Sequence, residues 1–179
     1  MGWTSNDLRI EMKNTEAAVK AAEAIKNYTI ANAESYKTLN LQNFLNDLEI
    51  EETAVVLNDS YMMHGCDYME YVPEICRVVA SLTCVNTFEG TAFYTSGYGD
   101  EGNVEFSFNG SIVKSKSVCY PNGFVECLCC EECGMDVVSI HEYEAGKIYI
   151  CPECGEEIDL SEAFEEYSPE IVEKEFCIK

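Results

Sequence analysis

The sequence predicts an α+β fold. Residues 1–123 are expected to form a two-layer sandwich of helices on an antiparallel-rich sheet, 124–158 a small cysteine-bearing unit, and 159–179 a short acidic helical tail. Three observations predict this. Several segments alternate polar and apolar residues, the period of a half-buried strand. Others carry apolar residues at three- and four-residue steps, the period of a helix with one buried stripe. Near the C-terminus the pattern breaks into two tight cysteine turns. With 179 residues and 47% hydrophobic content the chain can bury a real core, which excludes wholesale disorder.

The elements follow in order. Asp7 to Lys13 alternates and is expected as a strand. Asn14 and Thr15 can cap a helix running to about Ala33, with Ala18, Ala22, Ile25 and Tyr28 on its buried stripe. Residues 36–50 fit either a helix, through Leu41, Phe44, Leu45 and Leu48, or a strand at Leu48 to Glu51. Ala54 to Leu57 is a short apolar run expected as a central strand. A second helix is expected over Tyr71 to Leu82, with Pro73 in its first turn. Phe88 to Tyr94 and Val104 to Val113 alternate and are expected as two strands joined by the Gly97/Gly99/Gly102 loop, which lacks the Lys and Ser/Thr of a phosphate-binding loop. This order resembles ferredoxin-like folds in outline. Pro121-Asn122-Gly123 marks a turn and the expected boundary. Beyond it, Asp136 to Tyr143 and Lys147 to Ile150 flank Ala145-Gly146 and are expected to pair as a hairpin. Asp159 with Glu162 fits a capping box, and Ser168-Pro169 can cap a last short helix.

Cys130-Glu131-Glu132-Cys133-Gly134 and Cys151-Pro152-Glu153-Cys154-Gly155 repeat one pattern, with seventeen residues between Cys133 and Cys151. That spacing falls within the C-x2-C-x15–20-C-x2-C pattern of a zinc site. Two residues between cysteines let one turn aim both sulfurs at a point, and the glycine that follows permits φ > 0. The two knuckles resemble those of the zinc-ribbon (rubredoxin-knuckle) superfamily, over about residues 127–157. The resemblance implies a structural Zn2+ held by Cys130, Cys133, Cys151 and Cys154, with no open position for catalysis. Cys127 offers an alternative, because Cys127-Leu128-Cys129-Cys130 is also C-x2-C and its use would leave Cys133 spare. The glycine after each knuckle favours the later pair. His141 is expected mid-strand, pointing away from the hairpin end.

Eleven cysteines without a visible signal peptide favour a reducing compartment and metal over a disulfide scaffold. Most of Cys66, Cys76, Cys84, Cys119, Cys129 and Cys177 are then expected as small buried apolar side chains. No apolar stretch approaches the length of a membrane span, and a cytoplasmic location is expected. The net charge is −22, unevenly spread: residues 1–125 carry 17 acids and 8 bases, and residues 126–179 carry 16 acids and 3 bases. Four thiolates around one divalent cation would add a formal −2. A segment whose only bases are Lys147, Lys174 and Lys179 cannot displace phosphate counterions, so direct nucleic-acid binding by it is disfavoured.

These features favour a non-enzymatic, acidic, zinc-binding protein that acts by protein–protein interaction with a basic partner. In composition the chain is similar to small acidic phage-encoded inhibitors, including nucleic-acid mimics and some inhibitors of CRISPR nucleases; that similarity identifies no residues. The alternative is a regulatory zinc-ribbon protein binding DNA or RNA through its N-terminal domain. It requires Arg9, Lys13, Lys20, Lys26, Lys37, Lys114 and Lys116 to gather on one face. An enzyme would rest on His64-Gly65-Cys66-Asp67, where adjacency in sequence does not make a base and a thiol meet in space; no catalytic residue is assigned. Tyr61, Tyr68, Tyr71, Tyr94 and Tyr98 are expected mostly as core or rim residues, with any exposed ring a possible partner anchor.

Overall fold

The computed structural model describes residues 4–97 and 99–178, with every side chain among them except that of Cys66; Tyr98 and Lys179 lie outside the described residues. The first half of the chain runs β1 (Thr4–Glu11), α1 (Thr15–Ala31), α2 (Leu41–Asp47), β2 (Leu48–Glu51), β3 (Ala54–Ser60), α3 (Gly65–Ala80) and β4 (Phe88–Ser96). Two more sheet strands follow, β5 (Glu101–Phe108) and β6 (Ile112–Tyr120). Four short strands come next: β7 (Cys127–Cys129), β8 (Asp136–Ser139), β9 (Ile148–Ile150) and β10 (Glu157–Asp159). The chain ends with α4 (Ser161–Tyr167) and β11 (Glu170–Cys177).

Seven strands form one antiparallel sheet in the order β11-β6-β5-β4-β1-β3-β2, so the α+β class expected from the sequence is found. Alternation sets its two faces. Leu8, Ile10, Val55, Leu57, Ala92, Tyr94, Val104 and Phe106 point to the helices, while Arg9, Glu89, Glu105, Lys114 and Lys116 point to solvent. The helices supply the other half of the core through Ala18, Ala21, Ile25, Phe44, Tyr68, Tyr71, Ile75 and Val79. Asn14 caps α1 as expected, its side chain accepting from the Ala17 N–H at 2.9 Å. The buried Asn6 of β1 accepts from the N–H groups of Met62 and Met63 at 3.1 and 2.8 Å, which ties the connection before α3 to the sheet.

Several expected elements are corrected. Residues 36–50 hold both alternatives in succession, α2 and then β2. Helix α3 begins at Gly65, six residues before Tyr71, so Pro73 lies inside it and Met69 has no amide proton to accept there. The expected strand from Val104 to Val113 is two strands, because Gly110 at φ 94° turns the chain between Phe108 and Ile112. The largest change is at the C-terminus. Instead of a last short helix, residues 170–177 form β11, which pairs with β6 at the edge of the main sheet. Glutamates alone suggest a solvated helix, but Ile171, Val172 and Phe176 favour a strand. The register then sets Glu173 opposite Lys116 and Glu175 opposite Lys114, the latter pair in contact at 3.0 Å. Nor is α4 a free tail. Its Phe164 stacks on Tyr143 at 4.3 Å, within a second small core of Leu128, Ile140, Tyr149 and Leu160.

Candidate metal centre

Each knuckle sits in its own small hairpin. The first lies between β7 and β8, the second between β9 and β10. The expected single hairpin of 136–143 with 147–150 is therefore corrected: β8 and β9 belong to different two-stranded sheets. The two turns are built alike. The Cys130 N–H donates to Met135 O at 2.8 Å and the Gly134 N–H to Cys130 O at 2.7 Å; the Cys151 N–H donates to Glu156 O at 2.9 Å and the Gly155 N–H to Cys151 O at 3.0 Å. Gly134 and Gly155 take φ of 73° and 74°, the left-handed region that closes both turns. Two tight turns with the same bonds aim two pairs of sulfurs at a common point.

The four sulfurs of Cys130, Cys133, Cys151 and Cys154 all lie within 4.8 Å of one another and could hold a metal ion. Cys130 Sγ is 3.7 Å from Cys154 Sγ, and Cys133 Sγ is 3.5 Å from Cys151 Sγ. Sulfurs at the corners of a tetrahedron with metal–sulfur bonds of about 2.3 Å stand about 3.8 Å apart. The cage therefore fits a tetrahedral cation. Cys130 and Cys151 are buried, while Cys133 and Cys154 face the surface.

Charge on the cage is managed by main-chain amides. The N–H groups of Cys154 and Glu153 aim at the Cys151 sulfur and hold its thiol down to about 6. An amide at Met135 acts the same way on Cys133 and is the largest single influence there, but the sulfurs of Cys151, Cys130 and Cys154 together with desolvation outweigh it and push Cys133 up to about 12. Four thiolates in so small a volume need a cation to coexist, and the amides lessen the charge that cation must offset.

The remaining candidates separate clearly. Cys127 stands outside the cage on β7, opposite Ser139. Cys129 is exposed, its thiol 3.3 Å from an Asp136 carboxylate oxygen. His141 lies in the turn after β8, exposed, and not in a strand as expected. Among the described cysteines outside the cage, Cys76 is buried, Cys119 half-buried, and Cys84, Cys129 and Cys177 exposed, so the expectation that most are core residues is corrected. At the start of α3, the Asp67 carboxylate accepts from the N–H and hydroxyl of Thr38 at 2.9 and 2.7 Å, and the His64 N–H donates to the same hydroxyl. His64 and Asp67 thus fasten a loop to a helix start; the Cys66 side chain lies outside the described residues. Tyr68, Tyr71 and Tyr94 are core residues and Tyr61 is exposed.

No helix among the described residues is long and apolar enough to cross a membrane. Comparison of the chain with protein-family models found no match, and comparisons with curated proteins and with solved structures found none either.

Proposed function

We propose that the chain is a non-enzymatic, cytoplasmic protein that binds one structural Zn2+ and acts through protein–protein interaction. Its partner is a basic, nucleic-acid-handling protein, whose cationic groove it occupies as a phage-type inhibitor or nucleic-acid mimic would, a CRISPR nuclease being one such target. In this reading Cys130, Cys133, Cys151 and Cys154 form a zinc ribbon, residues 1–123 a ferredoxin-like unit extended by further strands, and 159–167 an acidic appendage of the ribbon. Sulfur-only tetrahedral ligation suits zinc, and such a centre contributes about 10–16 kcal/mol to folding at neutral pH, more than so small a core supplies alone.

The observation that carries the proposal is the state of the acids. All sixteen acidic residues of 126–179 are exposed, and among the described residues only Glu144 and Glu175 have an ion-pair partner, Lys147 and Lys114. Uncompensated charge on a stapled lobe raises the rate of encounter with a cationic surface. The alternative, a DNA- or RNA-binding protein, draws on Arg9, Lys114 and Lys116, which share the solvent face of the sheet. Glu11, Glu89, Glu105, Glu173 and Glu175 share it too and counter their pull on phosphate.

Affinity purification of the tagged chain from its host, repeated with Glu131, Glu132, Glu156 and Glu157 all changed to Lys, tests the proposal. A basic nucleic-acid-processing protein should be recovered by the native chain and lost with the reversed charges. Nucleic acid retained by the native chain, or gel shifts at low salt, would favour the alternative.

A further inference from the structure

The C-terminal strand β11 closes one edge of the main sheet, and nothing among the described residues pairs with its outer side. Its Ile171 and Val172 are 55% and 48% exposed, an unusual pair of neighbours on an edge that could recruit another strand. Helix α3 packs over β4, β5 and β6, which leaves Val172 and Lys174 uncovered on the helix side of the sheet. The bond from the Ile178 N–H to Ser111 O at 2.9 Å fixes the phase of the ladder. Even-numbered residues of β11 turn their backbone groups toward β6, so those of Ile171, Glu173 and Glu175 point to the open side.

We infer that this edge pairs with β11 of a second copy of the same chain, antiparallel about a two-fold axis through Val172. Neighbouring antiparallel strands related by such an axis keep their faces, so two seven-stranded sheets become one. On the helix side the triplet Glu170, Val172, Lys174 is its own complement: Val172 meets Val172, and each Glu170 meets Lys174 of the second copy. Ile171 and Glu173 then exchange backbone hydrogen bonds at both ends of the contact, in phase with their outward-pointing groups. Other registers fit poorly. Sliding one copy one way by two residues sets Glu173 against Glu173, and by four sets Lys174 against Lys174 and Glu173 against Glu175. Sliding it by two the other way sets Ile171 against Ile171, but it places Pro169, which has no N–H to give, opposite Glu173 and takes Lys174 away from Glu170. Neither Glu170 nor Lys174 has an ion-pair partner within its own chain among the described residues, so both are free for this contact. Each copy carries −22, which opposes association at low ionic strength and is screened once the Debye length falls to about 8 Å near 0.15 M salt.

Sedimentation equilibrium on the full zinc-loaded chain, from micromolar to millimolar concentration in physiological salt, tests the inference. A reversible dimer is expected. Lys174→Glu turns both attractive pairs into repulsive ones and should weaken it at least about tenfold. Glu170→Lys alone should do the same, and the double reversal Glu170→Lys with Lys174→Glu should restore it. Glu173→Pro removes an outward N–H without touching the ladder to β6 and should also abolish the dimer, with far-UV circular dichroism confirming the fold of each variant. A native chain that stays monomeric throughout overturns the inference. So does a dimer indifferent to Lys174→Glu, or one that the double reversal fails to restore.

Discussion

Gly134 and Gly155 hold φ of 73° and 74°, and a Cβ built on either meets nothing within 4 Å. Replacing one by alanine therefore isolates the cost of the left-handed conformation, about 1–2 kcal/mol, from any clash. Gly155→Ala should weaken metal binding about five- to thirtyfold, measured by competition with a chromophoric chelator; an unchanged affinity would show that the knuckle does not depend on that turn. Protons compete with the metal at the same sulfurs. With Cys133 pushed up to about 12, its thiol is protonated in the metal-free chain at neutral pH, and metal binding must release that proton. Affinity should thus rise with pH from 6 to 8 and fall on acidification, the more so as Cys151 protonates near 6. At this scale the sequence was informative, because a knuckle is local: five consecutive residues specify the turn, the glycine and both sulfurs. The choice of Cys133 over Cys127 followed from that glycine alone. The fates of Cys84, Cys119 and Cys177 did not follow from anything local, since their exposure depends on which strands and helices pass nearby.

At the scale of elements, the start of α3 is fitted to the sheet with little slack. A Cβ on Gly65 would stand 2.2 Å from the Tyr94 ring, and one on Gly102 would stand 2.5 Å from the ring's other side. Held between two glycines and 2% exposed, Tyr94 cannot move aside. Gly65→Ala should cost about 1–3 kcal/mol by overpacking, more than alanine returns as a better helix former, and urea denaturation should show a lower midpoint. A rise in stability would mean that the ring gives way. That contact joins residues far apart in sequence and leaves no periodic trace, which is why the apolar periodicity puts the start of the helix too late, at Tyr71. The strands β1, β4 and β5 are legible because alternation with one wet face leaves a period of two in the sequence. Strand β3 is legible as a short continuous apolar run, buried on both faces over Ala54 to Leu57. Strand β11 was concealed by its glutamates, yet a signal existed. Lys114 and Lys116 are spaced by two, as are Glu173 and Glu175, and Ile171-Val172 is a β-branched pair.

Over the whole molecule, two cores of unequal size lie along one chain that leaves the main sheet at Tyr120 and returns to it at Glu170. Among the described residues the smaller core has four buried hydrophobic residues, too few to hold it unaided, so its order should depend on a metal in the cage beside it. The larger core has thirty among the described residues, and should persist when the metal is stripped. In the sequence the Pro121-Asn122-Gly123 turn and the two cysteine knuckles mark where a second unit is expected. They do not fix the return of the chain, which pairs Glu170 with Cys119 and Cys177 with Ile112. Everything proposed for the acidic lobe depends on four thiolates clasping one zinc ion. Elemental analysis of the freshly purified chain, beside a Cys133→Ser, Cys151→Ser double variant, tests this most directly. The account predicts about one equivalent of zinc per native chain and almost none in the variant, with loss of amide dispersion confined to residues 126–167. Less than half an equivalent in the native chain, or undiminished zinc in the variant, would contradict it.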